Sequence, residues 1–489
     1  MAGTELGITD RLYPRVTIDT LPDVVLLETF VFSLGEDDAD EIEEADDCDR
    51  WQTLVHVCRR WRCIVFASPR RLDLKLYCTP QRLVNSETLD IWPELPTVIA
   101  AVNMQTKEDV TNIIAALRHH NRVCEIYYLT GHCQDSFMKE LAEINEPFLA
   151  LTSLTLFSYQ QENVPVLPDS FLGGSAPLLR SLSMACVPYP SVGNLLSSAT
   201  NLVTLYLWSI PHSGYISPEM IVPCLSMLTK LESLLLGFQH PRSLAHRASR
   251  HPPPLTHVVF PSLTDFNFRG NIEYLEDILS QIETPMLNQS TFGLFNQLAS
   301  DTSQLGHFIR RTETLKTIHT ARVQFSSWAV VVKLFGREEI AIGDREALQL
   351  YILCKPLDWQ LSAIAQVLGS FLSSLPTLES LDIEGIHKVW QDEIEVIQWR
   401  DFFHPFTSVK NMTLASENSV ELVVPALQEL ARERAIEVLP ALQDLCLPMN
   451  GWKPSGLIKD AIEQLIATQP LHGHPVTIHY EETESDSEE

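Results

Sequence analysis

Ten cysteines are present (Cys48, Cys58, Cys63, Cys78, Cys124, Cys133, Cys186, Cys224, Cys354 and Cys446), yet they form no CxxC pair and no dense cluster. A structural zinc site or a RING finger needs closely spaced thiol and imidazole ligands, so neither is expected and no metal is assigned. The thiols are expected to be reduced and mostly packed. Catalytic signatures are missing as well: there is no GxSxG, HExxH, GxxxxGKS/T or GxGxxG. No catalytic residue and no cofactor is therefore expected. The adjacent His119 and His120 close an amphipathic helical segment, where cations suit the helix dipole better than they suggest a metal. Long apolar runs are absent too, the stretch from Trp328 to Val332 being far short of the roughly 20 residues a membrane span needs. The N-terminus pairs no basic region with an apolar one, so no secretory signal is expected. Positive charge is scarce: 35 Lys and Arg face 63 Asp and Glu, a net charge of −28. That balance disfavours nucleic-acid phosphates and anionic membranes and leaves another protein as the expected partner. The expectation is a cytoplasmic and/or nuclear chain.

Apolar content is ample, with 45% hydrophobic residues, 20 Phe and 9 Trp in 489 residues, so most of the chain is expected to fold. Such a length implies about three domains or one repeat array. Sixteen of the 28 net charges sit in two runs, Glu36 to Asp49 and Glu481 to Glu489, that contain no Lys or Arg. Runs of this kind repel themselves and stay solvated.

An L-x-x-L-x-L frame, with any apolar residue allowed, recurs as LTSLTL from Leu151, LRSLSM from Leu179, LVTLYL from Leu202, LESLLL from Leu231 and LTDFNF from Leu263. It continues as LESLDI from Leu378, VKNMTL from Val409 and LQDLCL from Leu442, with weaker copies at Leu287, Leu315 and Ala347. The fourth positions fall at 154, 182, 205, 234, 266, 290, 318, 350, 381, 412 and 445, at intervals of 23 to 33 residues. VCEIYY from Val123 and LPTVIA from Leu95 extend the series backward. Helical periodicity fills the gaps, as in Asn271 to Glu283, Asp358 to Leu375, Val423 to Leu439 and the segment opened by the capping-box sequence at Thr106. One strand plus one helix cannot bury its own apolar side, so stacked copies share a core. The expected fold class is α/β: a short helical segment, then a leucine-rich-repeat-like solenoid with a curved parallel sheet inside and helices outside. An ordinary α/β domain also alternates strands and helices, but it has no reason to keep this frame near one period through 300 residues. The Asn or Cys expected three positions after the frame appears at Asn271 and Asn450 but not in most units, so the repeats are degenerate.

The segment from Ile18 to Phe66 follows a different logic. Leu21-Pro22-Asp23 opens a helix with Pro where a missing N–H costs nothing. A second helix is expected from Trp51 to Phe66, with the acidic run between the two. LPDVVLLETF and HVCRRWRCIVFASPR together resemble the F-box, and LDLKLYCTP and LDIWPELPTVIA are similar to segments of basidiomycete F-box proteins with leucine-rich-repeat tails. The resemblance covers roughly residues 18 to 130. It implies a non-catalytic subunit that presents its F-box to the Skp-type adaptor of a cullin-RING ubiquitin ligase and captures a protein substrate with its tail. The adaptor-facing residues it implies are Leu21, Pro22, Leu26, Leu27, Val57, Cys58 and Trp61. Val24 and Thr29 depart from the family pattern, and the acidic insertion is longer than usual. The expected organisation is an extension at 1–17, an F-box at 18–70 with the insertion at 36–49, repeats at 71–475 and an acidic disordered tail at 476–489.

In the repeats, the positions flanking the fourth frame residue are expected to face outward on the strands. They include Tyr206, Trp208, Asp265, Asn267, Arg269, His319, Tyr351, Asp382 and Glu384, and Tyr206, Trp208, Arg269 and Tyr351 are the expected substrate contacts. The basic, Pro-rich loop at 239–254 is a second candidate for an acidic or phosphorylated partner. Thr483, Ser485 and Ser487 sit in an acidophilic-kinase context. The alternative function is a leucine-rich-repeat interaction scaffold that acts without a ubiquitin ligase.

Overall fold

The computed structural model describes residues 18–34, 50–80, 95–102, 104, 107–130, 135–158, 164–240, 257–295, 302–336, 346–354, 357–372, 375–385, 396–432, 438–448, 456–468 and 476–481. The acidic insertion, nearly all of the basic loop, the Thr106 capping position, Asn450 and the three acidic-tail hydroxyls lie outside the described residues. The chain divides into two compact units, Met1–Tyr128 and Leu129–Glu489.

The first unit contains α1 (Asp23–Leu34), α2 (Arg50–Val57), α3 (Arg59–Ala67), β1 (Leu76–Cys78), β2 (Thr97–Val102), α4 (Lys107–Leu117) and β3 (Val123–Thr130). The single helix expected over 51–66 is broken at Cys58, whose backbone is extended (φ −158°, ψ 168°) and whose Sγ accepts the Trp61 N–H at 3.5 Å. Apolar residues spaced for one helix thus serve two, because a sulfur cap restarts the second. Leu26, Leu27, Phe30, Trp51, Val55, Ile64 and Val65 form one core with Leu72, Leu74, Leu76 and Leu95. Those last four belong to the first strand and its surroundings. The helical segment therefore shares its core with the start of the strands, within the compact unit that ends at Tyr128.

In the second unit, strands and helices alternate as β4 (Ser153–Ser158), β5 (Ser181–Ala185), β6 (Thr204–Ile210), β7 (Ser233–Phe238), β8 (Val258–Val259), β9 (Asp265–Gly270), β10 (Ile282–Glu283), β11 (Gln289–Phe295), β12 (Ile318–Phe325), β13 (Ala329–Gly336), β14 (Glu346–Leu353), β15 (Ser380–Glu384), β16 (Asn411–Leu414), β17 (Asp444–Pro448) and β18 (Thr477–Glu481). The helices are α5 (Asp135–Glu143), α6 (Val192–Ser198), α7 (Pro218–Leu225), α8 (Ile272–Leu279), α9 (Ser303–Arg311), α10 (Leu357–Gly369), α11 (Val396–Phe403), α12 (Glu417–Arg432) and α13 (Gly456–Thr468). Neighbouring helices touch in sequence order from α6 to α9 and from α10 to α13.

Frame residues Leu154, Leu182, Leu205, Leu234 and Phe266 pair across β4, β5, β6, β7 and β9 and are essentially fully buried. Each such burial is worth roughly 1.5–3 kcal/mol. A repeated backbone device holds the same register: one carbonyl before each strand accepts two successive N–H groups of the next repeat. Thr152 takes Arg180 and Ser181, Arg180 takes Val203 and Thr204, Val203 takes Glu232 and Ser233, and Glu232 takes Thr264 and Asp265.

The expected succession of parallel strands holds outside 318–353. Within this sheet of unit two the order is β4-β5-β6-β7-β9-β11-β14-β13-β12-β15-β16-β17-β18, while β8 and β10 form a separate parallel pair. β13 runs antiparallel to both β12 and β14, and every other ladder is parallel. The cause is local. Ser326 closes a turn with Ala329, its N–H donating to Ala329 O at 2.9 Å and its Oγ accepting from Ala329 N at 3.1 Å. The Ala-Val-Val-Val run that follows is buried throughout, as a β-branched central strand should be. Two weak frame copies are consequently out of register, Ser290 pairing with Leu348 rather than Leu350, and Ala321 rather than Ile318 aligning with Leu381.

Candidate outward-facing recognition surface

On β6, alternate residues point away from the buried frame leucines, and Tyr206 and Trp208 are each more than one-third exposed. The Tyr206 hydroxyl lies 3.1 Å from Ser233 Oγ on β7. Beyond Trp208 stands Gly237, where a Cβ would meet the indole Cε3 at 2.8 Å. Absence of that side chain is what lets the indole lie over β7. On β9, the Arg269 guanidinium carbon sits 5.2 Å from the Trp208 ring centroid and 5.9 Å from that of Phe295. Gly293 pairs with both Arg269 and Tyr351, and a Cβ there would come within 3.3 Å of Arg269 Cγ.

These residues are part of one row. Phe157, Ala185 and Trp208 pair in succession, Gly237 pairs with Arg269, and Arg269 with Gly293 and then Tyr351. Large and small side chains alternate along it. Strands lie about 4.8 Å apart, so a large side chain recurs about every 10 Å, with the intervening small residue leaving room for it to lie flat. The first six are the seventh residue of their respective frames, one position beyond the apolar pattern.

Charge is unevenly satisfied on this face. Asp265 is half-buried, and burial raises its carboxyl above the ordinary value although the Asn267 amide, donating at 3.0 Å, partly offsets this. Four residues along a strand separate it from Arg269, about 13 Å, so the two do not pair. Among the described residues, Arg269 has no carboxylate or hydrogen-bond partner for its guanidinium. Other outward cations are matched: Arg322 lies 3.2 Å from Glu384 and 3.6 Å from Asp382, and Lys333 lies 2.5 Å from Glu346. His319 is half-buried on β12, and its backbone carbonyl accepts the Glu379 N–H.

All four expected substrate contacts thus lie on the outward face, and Trp208 and Arg269 touch through a cation–π contact. Gly237, Gly293, Phe157 and Phe295 share this face and are not among the residues the sequence pattern singles out. The signal for the glycines was their shared place in the frame, since a strand glycine commonly marks close approach of another group.

The seven residues implied for adaptor contact divide differently. Leu26 and Leu27 are buried in the helical core, and Leu21 and Trp61 pack against it, Trp61 with its ring 4.7 Å from Phe30. Those four, implied as adaptor-facing, are engaged in the segment's own core, Leu21 and Trp61 only in part. Cys58 caps α3 and is half-buried, while Pro22 and Val57 remain exposed. Apolar surface on the segment comes instead from Val24, Val25, Val57 and Phe32, the last 89% exposed. Arg60 ties α3 to the start of α1 through Asp23 Oδ1 (2.9 and 2.5 Å) and the Leu21 carbonyl (2.5 Å).

A largely apolar pocket lies at the ends of β6 and β7, lined by Ile210, Tyr215, Phe238, Tyr274 and the two histidines His212 and His240. Tyr274 is buried, donates its hydroxyl to Ile216 O at 2.9 Å, and is held well above the usual tyrosine range by that burial. Its rings pack as core, Phe238 and Tyr274 being 4.7 Å apart. Among the described residues there is no group of three or more His, Cys, Asp or Glu that could hold a metal ion, and no helix long and apolar enough to cross a membrane.

Repeated strand–helix units, a frame of buried leucines and an outward residue row define this unit as a leucine-rich-repeat-like α/β array. No family model and no curated protein matches the chain. Among solved structures, it is similar to the leucine-rich-repeat-containing protein LegL7 from Legionella pneumophila, at 14% identity over 71% of this chain and 97% of that one, with a TM-score of 0.25.

Proposed function

We propose that this chain is a non-catalytic protein-recognition subunit whose strand face captures a protein substrate. The row Phe157, Trp208, Arg269 and Tyr351 carries the reading. Aromatic residues and Arg anchor protein interfaces more often than other types, and here they are spaced and supported by small neighbours. As the finer reading, the helical segment delivers the captured protein to the Skp-type adaptor of a cullin-RING ubiquitin ligase, in the cytoplasm or nucleus. Its support is the resemblance of LPDVVLLETF and HVCRRWRCIVFASPR to the F-box, together with the exposed Val24, Val25, Phe32 and Val57.

The test is affinity purification of the full chain with proteasome activity blocked, comparing wild type with Val25→Asp/Val57→Asp and with Trp208→Ala. Loss of the adaptor in the first variant and of ubiquitinated proteins in both is expected. An adaptor that is never co-isolated would refute the ligase reading. A second reading, a repeat scaffold without a ligase, is favoured by one observation: Leu21, Leu26, Leu27 and Trp61 are engaged in the segment's own core. It predicts Trp208-dependent partners and no adaptor.

A further inference from the structure

We infer that Arg269 reads a single carboxylate, an Asp or Glu side chain of the captured protein, presented next to apolar residues that rest on Trp208; this rests on the recognition reading above. The geometry is that of a prepared socket. Trp208 and Phe295 stand within cation–π distance of the guanidinium. Gly237 and Gly293 flank Arg269 in the sheet, Gly293 leaving room for its stem and Gly237 for the Trp208 indole. A guanidinium held beside aromatic rings keeps its N–H edge for a planar acceptor, and a carboxylate matches that edge with two parallel hydrogen bonds.

Charge argues for the same ligand. In a chain of net charge −28, the outward cations Arg322 and Lys333 are each held by this chain's own carboxylates, whereas Arg269 has none among the described residues. A half-buried guanidinium with no partner acquires its acceptor from outside, because leaving its N–H groups unmatched in a closed interface is costly. Monoanion is favoured over phosphate on the same ground. A phosphoryl group carries close to two negative charges and calls for a second cation. Among the described residues, the nearest outward cation along the sheet, Lys333, is three strands away, about 14 Å, and already engaged with Glu346. The negative field of the whole chain also disfavours a poly-acidic partner, so the expected segment carries one acid among neutral or apolar residues.

The experiment screens a displayed library of random nonapeptides against the full chain, with wild type, Arg269→Gln, Arg269→Glu and Trp208→Ala in parallel. Unchanged thermal midpoints confirm that each variant is folded. Wild type is expected to enrich one Asp or Glu at a fixed position beside an apolar residue. In Arg269→Gln that acid preference disappears while the apolar preference stays, and the best wild-type peptide binds about ten- to a hundredfold more weakly. Arg269→Glu selects Lys or Arg at the same position. Replacing the selected acid by phosphoserine weakens binding to wild type. Trp208-dependent peptides without an acid preference, or with one that survives Arg269→Gln, overturn the carboxylate reading alone. Tighter binding of the phosphoserine peptide overturns the choice of monoanion. If no Trp208-dependent peptide is enriched, the recognition surface itself falls, and this inference with it.

Discussion

Glu276 joins two repeats from within the core, and its removal is the perturbation whose size can be worked out most directly. It lies on α8, behind the strand that carries Arg269, and is only 6% exposed. Its two carboxylate oxygens accept the N–H groups of Gln304 and Leu305, each at 2.8 Å, in the first turn of α9. Thr302, the residue in the N-cap position of α9, makes no side-chain capping bond of its own. A carboxylate from the preceding repeat therefore satisfies two of the donors that every helix start leaves open, and it opposes the positive end of the dipole. A hydrogen bond to a charged group contributes about 1.5–3 kcal/mol. Glu276→Gln keeps one acceptor and points an amide donor at the other N–H, so it should cost about 2 kcal/mol; Glu276→Ala loses both and should cost about 4 kcal/mol by the same rule. Repeat arrays open locally, so a single unfolding midpoint would blur the effect. Amide exchange resolves it. At 1.4 kcal/mol per factor of ten, exchange over 304–311 should accelerate roughly thirtyfold in Glu276→Gln and roughly a thousandfold in Glu276→Ala. Residues of β16 and β17 should be unaffected. Exchange unchanged over α9, or accelerated evenly along the chain, would refute the capping account.

Gly237→Val places a side chain where Cβ alone would reach within 2.8 Å of the Trp208 indole; it should abolish Trp208-dependent capture as fully as Trp208→Ala, measured by the same purification. Asp265→Asn should raise the thermal midpoint at pH 7: burial raises this carboxyl, so the stability it provides is present below the unfolded value and is lost as pH rises, and the gain should vanish near pH 3. Cys124 is pushed up to about 12, chiefly by burial and further by Glu125, so at pH 8 iodoacetamide should label the exposed Cys63 and leave Cys124 unmodified until the chain unfolds, read by peptide mass spectrometry. Its neutral thiol adds stability that is intact below the unfolded thiol value, near 9, and is lost as pH climbs toward 12.

Periodicity made the repeats legible because frame leucines have no alternative use: Leu154, Leu182 and Leu205 must be buried, and a fixed spacing buries them together. The outward positions followed from strand alternation alone. What the frame could not convey was order. Leu315 and Ala347 begin copies of nearly the right spacing, yet Ala329–Gly336 between them is a second strand rather than a helix. The apolar run Ala329–Val332 has no helical or alternating period to read, and whether such a run is a buried strand or part of a buried helix is decided by what packs on both of its faces. Ser326 supplied the only local hint, a side chain able to close a tight turn onto Ala329.

In the helical segment the apolar pattern carries two meanings, and that bears on its function. Apolar residues at 26, 27, 30 and 61 satisfy equally well the pattern for an interface and the pattern for a core; a small helical unit has to spend its best-spaced ones on itself. What it can spare for a partner are the apolar residues outside that pattern. Val24, Val25 and Phe32 fit that description, Val25 and Phe32 lying on the side of α1 opposite Leu26, Leu27 and Phe30 and Val24 at its edge. Val57 ends α2 just before the Cys58 break, where the helix could not continue to cover it. Substitutions that separate interface from stability are therefore Val25→Asp and Val57→Asp, whereas Leu26→Ala or Trp61→Ala would weaken any binding by loosening the segment, a leucine buried in a core costing about 2–5 kcal/mol to truncate.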